Sequence, residues 1–89
     1  MKTYQITVTN LGGLTSRSSA ELVEEANHHE CNVTLRLENG DECDLKSIMN
    51  VFAISTPIDR GAVLTILCEG EDEEKAVAGF DRLCKEYSF

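Results

Sequence analysis

Residues 13 to 19, GLTSRSS, place four hydroxyl side chains (Thr15, Ser16, Ser18 and Ser19) around one arginine, Arg17. A helix-forming apolar run comes immediately after. A helix start leaves several backbone N–H groups without partners, and these attract anions. Arg17 can add a two-pronged grip on a phosphate or carboxylate. Thr15 or Ser16 can cap the helix, and Ser18 with Glu21 fits the S-x-x-E capping box. An anion site, a phosphorylation site and a well-capped helix all fit these residues.

The segment Lys46-Ser47-Ile48-Met49-Asn50-Val51-Phe52 offers a second possibility. Ser47 reads as the N-cap of a short helix. Ile48 and Phe52 share a face of that helix, with Met49 nearby. Two readings stay open. The apolar residues pack inward as core, or they form an adaptable exposed patch beside a modifiable hydroxyl.

Other chemistry-bearing residues point to structure. His28 and His29 are adjacent, so on a helix they point in different directions and only one can join a given metal site. They read as helix-end residues that favour the negative end of the dipole. Cysteines 31, 43, 68 and 84 are separated by 12, 25 and 16 residues, and none makes a CxxC pair. They read as reduced, mostly buried thiols of a cytoplasmic protein, without a structural zinc site. Asn32-Val33-Thr34 matches a glycosylation acceptor, a chance match in a chain with no secretory signal. No metal and no cofactor is expected.

The charge balance narrows the partners. Sixteen acidic residues oppose eight basic ones, for a net charge of −8. Nucleic acids and membrane surfaces are anionic, so neither is expected as a partner. No apolar run approaches the ~20 residues that span a bilayer. With 89 residues and 42% apolar composition, one core can form, and residues 1–89 are read as a single domain.

The elements that must position these residues are set by periodicity. Tyr4, Ile6 and Val8 alternate with polar residues, which predicts a half-buried strand in place of a signal peptide. Gly12-Gly13 ends it. From 16 to 28, Ala20, Val23 and Ala26 form a stripe with Leu22 beside it, which predicts an amphipathic helix. Val33, Leu35 and Leu37 alternate, Asn39-Gly40 signals a hairpin, and Cys43 and Leu45 face inward on the return. The short helix after Ser47 is closed by Pro57. Gly61 opens a strand over 62–68. Glu71 to Glu74 then suit the positive end of a helix carrying Ala76, Val77, Phe80, Leu83, Cys84 and Tyr87. The order β-α-β-β-α-β-α predicts an α+β fold, with three helices on one face of a four-stranded, largely antiparallel sheet.

With these motifs in place, the chain resembles the HPr (histidine-containing phosphocarrier) family of the bacterial sugar phosphotransferase system over nearly its whole length. The family pattern G-L-H-A-R-P-A is met by Gly13-Leu14-Thr15-Ser16-Arg17-Ser18-Ser19, and K-S-I-M-G-[LV]-M by Lys46 to Phe52. The resemblance implies the family's open-faced β-sandwich. It also implies that Thr15 stands at the phosphohistidine position, Arg17 at a phosphate-binding position and Ser47 at a regulatory phosphorylation site. Ser18 replaces a proline, Asn50 a glycine and Phe52 a methionine. A histidine-less subfamily, the catabolite-repression HPr proteins, is the more similar one. By that resemblance the chain is expected to be a non-enzymatic regulatory or adapter protein. Arg17, Lys46, Ile48, Met49 and Phe52 would form its partner surface, and an HPr kinase and a transcription regulator would be its protein partners. A phosphocarrier with another acceptor, or a module that acts without phosphorylation, are the alternatives.

Overall fold

The computed structural model describes residues 1–10, 13–54, 58–87 and 89. Seven elements appear in the expected order: β1 (Lys2–Thr7), α1 (Ser16–Asn27), β2 (Asn32–Arg36), β3 (Glu42–Asp44), α2 (Ile48–Ile54), β4 (Val63–Glu69) and α3 (Glu73–Glu86). The strands form one antiparallel sheet in the order β1-β4-β2-β3. The strand expected over 62–68 is shifted to 63–69. Pro57 and Gly12 lie outside the described residues.

The period-2 pattern decides which face of the sheet is covered. Ile6 pairs with Leu64, Leu35 with Ile66 and Val33 with Cys68. All six are buried. Strand side chains alternate in direction, so these six share one face. α3 packs over β1 and β4, α2 touches β3, and α1 contacts both other helices. Phe80, Leu22, Leu45 and Val51 complete the core. The fold is therefore an open-faced α+β sandwich with three helices against a four-stranded sheet.

The Asn39-Gly40 signal makes its hairpin with a bulged turn. Gly40 donates its N–H to the Leu37 carbonyl at 3.0 Å and adopts φ +95°, a conformation that suits glycine. Asn39 Oδ1 accepts from the Asp41 N–H at 2.9 Å and closes the far side.

The helix expected over 16–28 ends one residue earlier, and its apolar face is rotated from the expected stripe. Ala20 is exposed, whereas Ser18 and Ser19 are buried beside Leu22, Val23 and Ala26. The helix contacts both α2 and α3, and the face it buries includes positions 18 and 19. The Ser18–Glu21 capping box is not formed either. Ser18 sits inside the first turn, and Thr15 takes the capping role.

Candidate functional site

Thr15 has extended backbone angles (φ −92°, ψ 171°) and precedes the first helical residue. Its Oγ1 accepts from the Ser18 N–H at 3.1 Å, and its carbonyl accepts from the Ser19 N–H at 2.9 Å. This is N-capping geometry. The two hydroxyls of Thr15 and Ser18 are 3.0 Å apart, and the Tyr87 hydroxyl lies 3.5 Å from Ser18 Oγ. A short chain of hydroxyls thus links the start of α1 to the end of α3. Ser16 and Arg17 are exposed on the first turn, and Arg17 pairs with no carboxylate among the described residues. The turn presents one cation and the Ser16 and Arg17 N–H groups, because those of Ser18 and Ser19 are taken by Thr15, so an anion can be received there.

Ser19 Oγ behaves differently. It is buried and has no hydrogen-bond partner among the described residues. A buried hydroxyl without a partner carries an uncompensated desolvation cost of about 1–3 kcal/mol. Ser19→Ala is expected to raise unfolding stability by about 1 kcal/mol, helped by alanine's better helix propensity. Urea titration should show a higher midpoint with an unchanged slope. A lower midpoint would mean that the hydroxyl makes a stabilising contact.

Both histidines are remote from this turn. α1 has 12 residues, so its ends are about 18 Å apart. His28 is the C-cap, and its backbone N–H reaches the carbonyls of Glu25 and Ala26. The expected dipole role does not describe His29. Its Nε2 lies 2.7 Å from Glu25 Oε2, its Nδ1 lies 3.9 Å from Asp72 Oδ2, and its ring centroid is 6.5 Å from that of Phe80. His29 thus joins the end of α1 to the loop before α3. Asp72 strengthens that junction, because its two carboxylate oxygens accept the N–H groups of Glu30 (2.9 Å) and Cys31 (2.8 Å). These donors, the Glu30 amide first, hold the Asp72 carboxyl below the usual carboxylate range.

The cysteines are free thiols, with Cys31 and Cys68 buried and Cys43 and Cys84 half-buried. Burial pushes every one of them up, Cys68 to about 11, so the reactive thiolate is suppressed at neutral pH. Tyr4 is likewise pushed up to about 12, by burial first and then by its hydrogen bond to Asp81. These groups lie in the core or pack against it.

The second motif is built on α2. The Asn50 N–H points to Ser47 Oγ at 3.4 Å, and the Val51 N–H donates to the Ser47 carbonyl at 3.1 Å. The two readings of its apolar residues both apply, divided by position. Val51 is fully buried and Ile48 is half-buried. Met49 is 78% exposed and Phe52 is 44% exposed. A seven-residue helix has room for one buried edge, and that edge leaves 49 and 52 on the outside.

Lys46 is anchored on three sides. Its N–H donates to Asp44 Oδ1 (2.9 Å), its carbonyl accepts from Asn27 Nδ2 (3.1 Å), and its ammonium donates to the His29 carbonyl (2.7 Å). The bond to Asn27 places the start of α2 beside the last turn of α1. Arg17 lies ten residues earlier on α1, about 15 Å away along the axis. Arg17 therefore lies toward one end of α1, and Lys46 is tied to the other end.

Neither Asn27 nor Asp72 is legible in the sequence as a site residue. Asn27 at a helix end reads as an ordinary terminal residue, and Asp72 is 41 positions from its partner Cys31. Only the low helix propensity of asparagine could draw attention to position 27.

Comparison with known proteins agrees with this architecture. The family model for the PTS HPr component phosphorylation site matches residues 2–86. A phosphocarrier protein HPr of Xylella fastidiosa (strain Temecula1) is 35% identical over 83 residues, covering 93% of this chain and 90% of the relative. Among solved structures, the histidine-containing phosphocarrier protein of a Mycoplasma superposes with a TM-score of 0.84 at 28% identity, covering 96% of this chain and 93% of that one. The Bacillus subtilis catabolite-repression protein Crh, solved as a swapped dimer, gives a TM-score of 0.62 at 28% identity, with 100% and 99% coverage. The model match over almost the whole length, together with the sandwich and its two helix-start motifs, makes this chain a member of the HPr family of the phosphotransferase system.

Proposed function

We propose that this HPr-family protein is a regulatory or adapter protein that docks through Ser47 and the neighbouring apolar surface, and that it does not relay phosphoryl groups. The carrying observation is at Thr15, the position that the family motif gives to the phosphorylated histidine. A neutral hydroxyl stands there, committed to capping Ser18 N–H, and the histidines of the chain, 28 and 29, lie at the other end of α1. Phosphate on an imidazole nitrogen is readily passed on, because protonated imidazole leaves easily. Phosphate on an alcohol is a stable ester, and an alcohol without an adjacent base is a weak nucleophile.

The start of α2 supports the docking role. Met49 and Phe52 expose a large apolar surface next to Ser47. Exposed, unbranched methionine adapts to partner surfaces. A phosphate on Ser47 would add ~1.5 to 2 negative charges at the N-terminal end of α2. That changes the surface charge at the start of α2, whose buried anchor is Val51. The likeness to Crh supports a regulatory role. On this reading an HPr kinase modifies Ser47, a transcription regulator receives the product, and the protein acts in the cytoplasm. A second reading, a docking module that needs no phosphate, is favoured by the fact that the apolar patch is already exposed in the unmodified chain.

The test has two arms. With phosphoenolpyruvate and the general phosphotransferase enzyme, the chain is expected to take up no transferable label. With ATP and an HPr kinase it is expected to take up one acid-stable phosphate, and Ser47→Ala should abolish the uptake. Acid-labile label that passes to a sugar-specific protein would refute the proposal. Partner binding that is unaffected by Ser47→Ala and by ATP would favour the phosphate-independent module.

A further inference from the structure

The ties around Lys46 have a consequence for Ser47. We propose that Asn27 is a positioning residue for Ser47, in that its side chain buckles the Lys46–Ser47 segment to the last turn of α1 and presents the hydroxyl in one fixed pose. The proposal rests on the reading of Ser47 as the modified residue. It concerns a side chain on a different element, 19 positions away from the Lys46 it binds.

The geometry assigns the role to the amide nitrogen of Asn27. An amide nitrogen carries two hydrogens. One donates to the Val23 carbonyl at 2.9 Å, four residues back on the same helix, and the other to the Lys46 carbonyl at 3.1 Å. The first bond orients the side chain and the second joins two elements. The remaining ties on Lys46 come from Asp44, two residues away, and from its own ammonium on the His29 carbonyl. Asn27 is thus the tie in which a side chain of α1 grips the loop backbone, directly before Ser47.

Packing does not require asparagine at position 27. The residue is exposed, and asparagine is a poor helix former because its side chain competes for backbone bonds. Here that tendency produces the bridge to Lys46. Ser47, next in the chain, organises the first turn of α2: its carbonyl receives the Val51 N–H and its hydroxyl receives the Asn50 N–H. A loosened Lys46 therefore loosens that turn and spreads the hydroxyl over several orientations. An enzyme that must bring this hydroxyl in line with a nucleoside triphosphate then binds the competent pose less often.

The experiment compares the full chain with Asn27→Ala and with the near-isosteric Asn27→Asp, whose carboxylate cannot donate to the two carbonyls. Phosphorylation by an HPr kinase with ATP and amide hydrogen exchange are both read. In Asn27→Ala, KM for the protein substrate is expected to rise about fivefold while kcat stays within about twofold, the size of one exposed hydrogen bond. Exchange at the amides of Ser47, Asn50 and Val51 should accelerate, while that at Ile66, in the sheet centre, stays unchanged. Asn27→Asp should match or exceed both effects. Unchanged exchange at these three amides, or an unchanged KM, overturns the proposal. If the parent chain takes no phosphate at all, the Ser47 reading falls, and the exchange data alone decide whether Asn27 holds the loop.

Discussion

Gly13→Ala is expected to lower stability by about 3 kcal/mol, which for a domain of this size moves the melting temperature down by about 15 °C. Two costs combine. Gly13 adopts φ +73°, a conformation that an L-residue with a Cβ enters at a cost of roughly 1–2 kcal/mol. A methyl group there would also sit 2.1 Å from the Ile58 carbonyl oxygen and 3.3 Å from Asp59 Cα. These are backbone atoms, so no rotamer change relieves the clash. The same carbonyl accepts the Leu14 N–H at 3.0 Å, one residue before the Thr15 cap. The substitution therefore pushes the 58–59 segment away from the start of α1 and loses a bond that seats the motif. Thermal unfolding followed by circular dichroism measures the effect. Gly40→Ala is the control: Gly40 has φ +95° with no atom within 4 Å of an added methyl, so it carries the conformational cost alone. Equal losses for the two variants would mean that the clash at Gly13 relaxes freely.

Phe80→Ala should be comparably severe, at about 4 kcal/mol, the middle of the range for removing a buried aromatic side chain. Phe80 is 0% exposed on α3, among the largest fully buried side chains of the core, and its ring neighbours that of His29. Its removal leaves a cavity where α3 meets the end of α1, and rigid neighbours fill it only in part. Because domains have about 5–15 kcal/mol in total, the variant should be substantially unfolded at moderate urea concentrations. Phe52→Ala is the informative contrast. Phe52 is 44% exposed, so its loss should cost well under 1 kcal/mol while weakening partner docking. A Phe80→Ala variant as stable as Phe52→Ala would mean that the helical layer does not pack on the sheet as described.

Gly13 and Phe80 differ in how far the chain announces them. Phe80 is legible because Ala76, Val77, Phe80, Leu83 and Cys84 recur at helical spacing. Gly13 is legible as a chain breaker, although not as a glycine pressed against Ile58. The hydroxyls of GLTSRSS read as interchangeable capping groups. In the fold they have four different positions: Thr15 caps, Ser16 is exposed, Ser18 bonds within a hydroxyl chain and Ser19 is buried without a partner among the described residues. Local spacing carries no information about which of them lies under α2 or α3. The same limitation puts Ala20 on the expected buried face. Spacing defines the apolar stripe of α1, whereas the residues at its edges are decided by the partners that pack on the helix.

The seven elements, their order and the inward faces of the strands are written in the chain, because periods of 2 and 3.6 are imposed by each segment's own backbone geometry. So is the cluster of hydroxyls around Arg17 in GLTSRSS. The strand order β1-β4-β2-β3, the bond from Asn27 to Lys46 and the bridge from Asp72 to Cys31 exist only in the assembled fold. The two bonds join residues 19 and 41 positions apart, and β1 pairs with β4 across most of the chain. Such contacts form only when the whole chain has closed around one core, and no short window of residues encodes that closure.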